Sequence, residues 1–248
     1  MKIENTEVYG FRAALRGMRN PKNSWAASDS LFYYRTGPTG RVRMRTILGV
    51  ASDYELDPAH AIMCESWGDV FVAEWPIIGP KDLELAERLI GGGPEHRKFL
   101  RQIVIWVDLT LPRYVWQEMD TYKVATVRDS CSTMHKLTSQ DLTTDDFEDE
   151  DVLPSLLHTI NEAAKAHREG KDYGGVTGHA LLRYVKKMLP EGYLQKATYT
   201  MNYETALNIL HQRSTHRLPE WSGPDGICSW LRTLPHMSEF ERAASPAR

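Results

Sequence analysis

Arg128, Asp129, Ser130, Cys131 and Ser132 follow one another in the stretch TYKVATVRDSCSTMHKL (residues 121–137), so a guanidinium, a carboxylate, a thiol and hydroxyls share one short segment. Cations such as Arg128 or Lys123 near a thiol favour the thiolate, the nucleophilic form of the side chain. The other reading of Cys131 is a passive small residue in a polar pocket, because a lone cysteine is more often inert packing than a nucleophile. Both remain open on sequence alone. The cations in the same stretch suit an anion such as a phosphate, which needs point charges or guanidinium forks.

A second set lies in TMNYETALNILHQRSTHRLPEW. At ~100° per residue, Tyr203, Ala206, Leu207 and Leu210 form one apolar face of a helix, and Arg213 falls about 20° from Asn202, close to Ala206. Arg213 therefore borders the buried side. A guanidinium there must snorkel to water, meet a carboxylate, or hold an anionic ligand, because a desolvated and unpaired charge is costly. His211 and His216 lack the spacing of a zinc-binding helix, and His135 reads as a surface residue, so no metal site is expected.

The elements that must position these groups form a mixed architecture. GFRAALRGM reads as a short amphipathic helix with Phe11, Ala14, Leu15 and Met18 on one side and Arg12, Arg16 and Arg19 on the other. SLFYYRTGPTGRVRMRTIL reads as two strands around a Gly-Pro-Thr-Gly turn, with Arg41, Arg43 and Arg45 on one face, either solvated or facing an anion. KDLELAERLIGGG is a helix with a glycine stop, with Leu85, Ala86, Leu89 and Ile90 inward and Asp82 near its start.

RQIVIWVDLTLP alternates Ile103, Ile105, Val107, Leu109 and Leu111 against more polar positions, the pattern of a strand with one buried face, ending at Pro112. RYVWQEMDTYKV then spaces Val115, Met119 and Tyr122 as on a helix, which puts the Cys131 stretch at or beyond a helix end. Residues 141–151, DLTTDDFEDED, carry seven acidic residues and read as a solvated, mobile connector spanning about 138–151. Two helices follow, LPSLLHTINEAAKAH stopping at Gly170 and TGHALLRYVKKML stopping at Pro190.

The 248 residues are 42% hydrophobic and 25% charged, enough for one α+β domain over 1–248 with insertions. No apolar run approaches ~18 residues and the first residues lack a secretory apolar stretch, so a cytoplasmic protein without a membrane partner is expected. Cys64, Cys131 and Cys228 are odd in number and far apart, which fits a reducing compartment. A net charge of −3 gives no global attraction to nucleic acid.

The order LAERLIGGGPEHRKFLRQIVIWVDLTLPRYVWQEMDTYKVATVRDSCSTMHKL, then YVKKMLPEGY, then MNYETALNILHQR, resembles the flavin-dependent thymidylate synthases (the ThyX family) over roughly residues 80–137 and 180–221. Their signature RHRxxSxNxxSxRY falls on residues 121–134. Thr121, Tyr122 and Lys123 stand at its Arg-His-Arg, Thr126 at its first Ser, Arg128 at its Asn and Cys131 at its second Ser, with Thr133 and Met134 at the closing Arg-Tyr. Only Lys123 keeps a charge of the opening triplet. Lys186 stands at the Arg of AR-x-x-LP, while Asn202, Asn208 and Arg213 retain the asparagine and arginine spacing of a third family segment.

The resemblance implies a central sheet flanked by helices and a homotetramer. It further implies reductive methylation of dUMP, with FAD as hydride carrier, methylenetetrahydrofolate as carbon source and NADPH as reductant. By this resemblance Lys123, Thr126, Asn202 and Asn208 would contact the flavin. Lys186, Arg128, Ser132 and Arg213 would contact the nucleotide, and Arg213, Asp129 and Cys131 would stand nearest the chemistry. A uracil ring becomes a better carbon nucleophile when a cation stabilises charge on its carbonyl oxygens, the part Arg213 suits. Two other expectations stand beside this one: a nucleotide-binding protein that has lost flavin and catalysis, and a scaffold that keeps only the fold.

Overall fold

The computed structural model describes residues 1–36, 41–53, 71–72, 75–133, 136–148 and 152–245. In chain order they form β1 (Lys2–Tyr9), α1 (Phe11–Arg19), β2 (Leu31–Thr36), β3 (Arg41–Arg45), β4 (Val50–Asp53), β5 (Phe71–Val72), β6 (Trp75–Ile77) and α2 (Pro80–Gly91). There follow β7 (Val104–Pro112), α3 (Arg113–Met119), β8 (Val127–Ser130), α4 (Pro154–Arg168), α5 (Gly178–Met188) and β9 (Leu194–Asn202). The chain closes with α6 (Tyr203–Arg213), α7 (Pro219–Ser222), α8 (Ile227–Thr233) and α9 (Met237–Ala244). The turn at 37–40, Cys64, Met134 and His135 lie outside the described residues, as do the side chains of Arg41 and Arg43.

One sheet runs β5-β1-β7-β9-β8, with β1 and β5 parallel and Glu7 opposite Phe71. The other runs β4-β3-β2-β6, all antiparallel, with Tyr33 opposite both Met44 and Trp75. The expected hairpin of β2 and β3 is therefore present. In β7 the alternation plays out as anticipated, with Ile105, Val107, Leu109 and Leu111 buried and Trp106 exposed on the opposite face. The strand stops at Pro112, whose missing amide suits the entry to α3.

The chain divides into two compact units, one of residues 1–3, 108–123 and 128–199, the other of 4–107, 124–127 and 200–248. In the first, α4 and α5 pack through Ile160, Ala163, Leu181 and Val185. Leu137, Leu142 and Phe147 join that core. The acidic stretch is thus not wholly solvated, because its two apolar side chains are drawn inward while Asp141 and Asp145 stay exposed. Thr143 and Asp146 form a reciprocal capping box there, which satisfies backbone amides that a free linker would leave to water.

In the second unit Phe11, Tyr203 and Phe240 meet edge to face, with Phe11 and Tyr203 ring centres 5.2 Å apart. The apolar face of α1 is the one expected, but Arg19 does not share the polar side with Arg12 and Arg16. It is buried, with Nε 2.5 Å from Oδ1 of the fully buried Asp82. Ser28 and Ser30 hydroxyls each donate to Asp82 Oδ2 at 2.5 Å. A carboxylate held that deep needs a cation and donors, and the last residue of α1 turns inward to supply the charge. At the start of α1, Gly10 has φ +103°, and a Cβ there would lie 2.1 Å from the Gln102 carbonyl oxygen.

Candidate functional site

The N-terminal end of α6 is set by Asn202, whose backbone is still extended and whose Oδ1 accepts from Thr205 N at 2.9 Å. That bond satisfies one of the orphan amides of the first turn. Tyr203, Ala206, Leu207 and Leu210 are buried on the face anticipated from their spacing. The Thr205 hydroxyl donates to Val124 O at 2.9 Å, so the 124–127 loop, with Ala125 at φ +55° and Thr126 half-buried, is tied to the start of the helix.

Glu204, in the first turn, is gripped by two guanidiniums. Arg97 Nε lies 3.1 Å from Oε1, Arg101 Nε donates to Oε2 at close range, and Arg97 Nη2 donates to Asn208 Oδ1 at 3.3 Å. Burial alone would push the Glu204 carboxyl up, but hydrogen bonds from Arg101 and Arg97 outweigh it and hold it below the usual range. Two cations share one carboxylate, so the cluster carries a surplus positive charge. Arg101 is 46% exposed, so that charge faces outward. None of Arg97, Arg101 or Glu204 was anticipated. Their signal in the sequence is the i, i+4 spacing of the two arginines together with an acid directly after the Asn202-Tyr203 helix start.

Arg213 closes α6, roughly 16 Å along the axis from Asn202 at 1.5 Å per residue. Its Nη1 is 2.8 Å from His216 Nε2, and its guanidinium carbon lies 4.9 Å from the centre of the Trp221 ring. Stacking on a buried aromatic was not among the fates anticipated for it, and the ring face partly compensates its desolvation.

In the first unit, α3 ends at Met119 and the chain loops to β8, which carries Arg128 and Asp129, so the stretch forms a strand rather than a plain loop. Tyr122 falls beyond the helix. Arg128 Nη1 is 3.1 Å from Asp120 Oδ2, and its guanidinium carbon lies 4.9 Å from the Trp116 ring centre. Trp116 is held by a bond from Nε1 to Gln195 O at 2.8 Å. Cys131 is exposed; its amide donates to Lys196 O at 2.9 Å and its carbonyl accepts from Gln195 Nε2 at 2.9 Å. Asp129, Ser132 and Lys123 are exposed, and Lys186 is half-buried on α5. Nearby, Thr198 Oγ1 donates to Asp108 Oδ1 at 2.6 Å, and Lys196 Nζ lies 3.4 Å from Asp108 Oδ2.

Within the second unit the structure thus joins the loop of Thr126 with Asn202 and Asn208 along α6, with Arg213 at the far end of the same helix. Within the first, Arg128, Asp129, Cys131 and Ser132 run along and just past β8, while Lys186 belongs to α5. Among the described residues no group of three His, Cys, Asp or Glu is arranged to hold a metal ion, and no helix is long and apolar enough to cross a membrane.

No family model and no curated protein matches the sequence. Among solved structures, a flavin-dependent thymidylate synthase ThyX from Helicobacter pylori complexed with FAD and dUMP is similar at a TM-score of 0.60 and 15% identity, over 99% of this chain and 100% of that one. A further structure of ThyX from Helicobacter pylori with FAD and dUMP is similar at a TM-score of 0.58 and 14% identity, again over 99% and 100%. Such identities speak to architecture, and the architecture of this chain is that of a ThyX-like fold.

Proposed function

We propose that this chain is a diverged flavin-dependent thymidylate synthase-like protein, a homotetramer acting on a pyrimidine deoxynucleotide such as dUMP by reductive methylation or a related one-carbon transfer. The observation that carries the reading is a likeness to FAD- and dUMP-bound structures over 99% of the chain. It is supported by the grouping on one helix of Asn202, Asn208 and the Thr126 loop, residues expected at a flavin.

The donor set around the start of α6 fits an anionic, hydrogen-bonding cofactor. Thr126 offers a hydroxyl, Asn202 and Asn208 offer amides, and Arg97 and Arg101 add a surplus positive charge with one exposed guanidinium suited to a phosphate. Lys123 would add a further cation. Bound and reduced, FAD supplies the hydride, with methylenetetrahydrofolate as carbon source and NADPH as reductant. The chain's own residues then bind and polarise the substrate. Lys186 and Arg128 are assigned to the phosphate, Ser132 to a hydrogen bond beside it, and Arg213 to the base carbonyl, with Asp129 orienting a neighbouring donor and Cys131 adjoining the reacting ring.

The test is the absorption spectrum of the purified protein with mass analysis of any cofactor released on denaturation. A flavin band and a released mass equal to FAD are expected.

A second reading, a colourless nucleotide-binding protein on the same fold, is favoured by one specific observation. The Asn202 amide oxygen is committed to the helix cap and that of Asn208 to Arg97, so both family asparagines have structural employment without a flavin. A colourless protein that is thermally stabilised by dUMP would establish this reading instead.

A further inference from the structure

A cavity of about 290 Å³ opens between the end of α1 and the outer face of α2, within the second unit and built from residues that the proposed activity does not use. Its floor is apolar: Met18 is buried, and Leu85 and Leu89 stand one helical turn apart on α2. Its mouth is cationic. Lys22, in the short turn that follows α1, and Arg88, on α2, are both exposed, with the His96 imidazole beside them. Among the described lining residues there is no Asp or Glu. Nor does any described carboxylate lie within ion-pairing distance of Lys22 or Arg88, in contrast to Arg97 and Arg101 nearby in sequence, which are held by Glu204.

We propose that this cavity binds a small amphipathic monocarboxylate, with one aromatic or branched aliphatic body on the Met18, Leu85 and Leu89 floor and its carboxylate between Arg88 and Lys22. Ligand sites are mostly apolar with a few placed polar groups, and this volume lies just below their range of roughly 300–1,000 Å³. Arg88 offers the planar fork that matches a carboxylate, and Lys22 adds a point charge. Gly92 shapes the mouth, since a Cβ there would lie 3.1 Å from the His96 ring and the imidazole would have to give way by a few tenths of an ångström.

The test uses the full-length protein and two probes of equal body, 4-phenylbutyrate and its neutral counterpart 4-phenylbutan-1-ol, titrated by calorimetry at low salt. The carboxylate should bind roughly tenfold or more tightly than the alcohol, the worth of one charge-assisted contact. In the double variant Lys22→Gln with Arg88→Gln the two probes should bind alike, while Arg88→Lys should keep part of the preference. Both side chains are exposed, so an unchanged circular dichroism spectrum is expected. Equal affinities in the unaltered protein, a preference that survives the double variant, or no binding of either probe at millimolar concentration would each overturn the assignment.

Discussion

The Arg213 guanidinium lies over the ring of Trp221, with its carbon 4.9 Å from the ring centre, and Trp221 is itself fully buried. The aromatic face presets where the charge sits at the end of α6 before any ligand arrives. Trp221→Phe should therefore keep most of the placement, whereas Trp221→Leu should lose the cation–π contact, worth about 0.5–1 kcal/mol at a partly exposed site. Arg213→Ala should lower turnover by about 10²–10³-fold, the scale of one donor to developing charge, and raise the half-saturation for dUMP far less. Steady-state kinetics on all three variants separate placement from charge.

Lys186→Ala should weaken binding of dUMP by roughly tenfold to a hundredfold and hardly affect deoxyuridine, because the contact removed is a point charge on phosphate. Calorimetric titration of both ligands reads the difference. Equal losses for the two would remove Lys186 from the phosphate site.

Glu204 makes the acid limb of the stability profile informative. Its carboxyl is held below the ordinary value in the folded chain by Arg101 and Arg97 against the opposing pull of burial. A depressed folded value means that the stabilisation is present above the unfolded value, about 4.3, and is lost as pH falls through the lower folded value. Urea midpoints measured from pH 6 downward should fall in that window, and Glu204→Gln should be less stable at pH 6 with a flatter acid limb. An unchanged slope in the variant would show that the two arginines do not stabilise the carboxylate.

Asp82→Ala should be among the most damaging single changes in the second unit. It leaves the buried Arg19 without its carboxylate, and removing one partner of a buried pair costs about 3–5 kcal/mol. Denaturant unfolding measures it, and a loss below about 1 kcal/mol would mean that water reaches Arg19.

Cys131→Ser should be tolerated in both nucleotide binding and turnover. The thiol is exposed at the end of β8, and the resembling family carries serine at this position. Retained binding with turnover down by orders of magnitude would instead identify the thiolate as a nucleophile, since a serine hydroxyl is much the weaker attacker at neutral pH.

What could be seen in the sequence was whatever has a period. The apolar faces of α1 and α6, Ala86 and Ile90 on α2, and the alternation in β7 were legible because burial imposes spacings of 3.6 and 2 on hydrophobic residues. Leu85 and Leu89, expected inward on α2, are only half-buried and line the cavity beside α1. Arg19 was misplaced by the same logic: a helical wheel sends charge to water and has no means of showing that Asp82, dozens of residues away, waits in the interior. β8 was hidden because VRDS has little alternation and owes its strand state to pairing beside β9. Arg97, Arg101 and Glu204 escaped for a related reason, since the i, i+4 arginines and the acid after Asn202-Tyr203 lie in two distant segments and nothing local says that they meet. The family spacing pointed to Asn202, Asn208 and Arg213, but only coordinates show the first as a helix cap and the last against tryptophan.

Gly10 extends these dependencies toward the N-terminus. Its missing side chain leaves room for the Gln102 carbonyl, immediately beyond Arg101, and its φ of +103° is one that other residues rarely hold. Any larger residue at position 10 must displace the segment from which Arg97 and Arg101 reach Glu204. In a survey of all substitutions, position 10 would therefore score like a ligand-contacting residue while touching no ligand, a sensitivity transmitted through backbone rather than through chemistry.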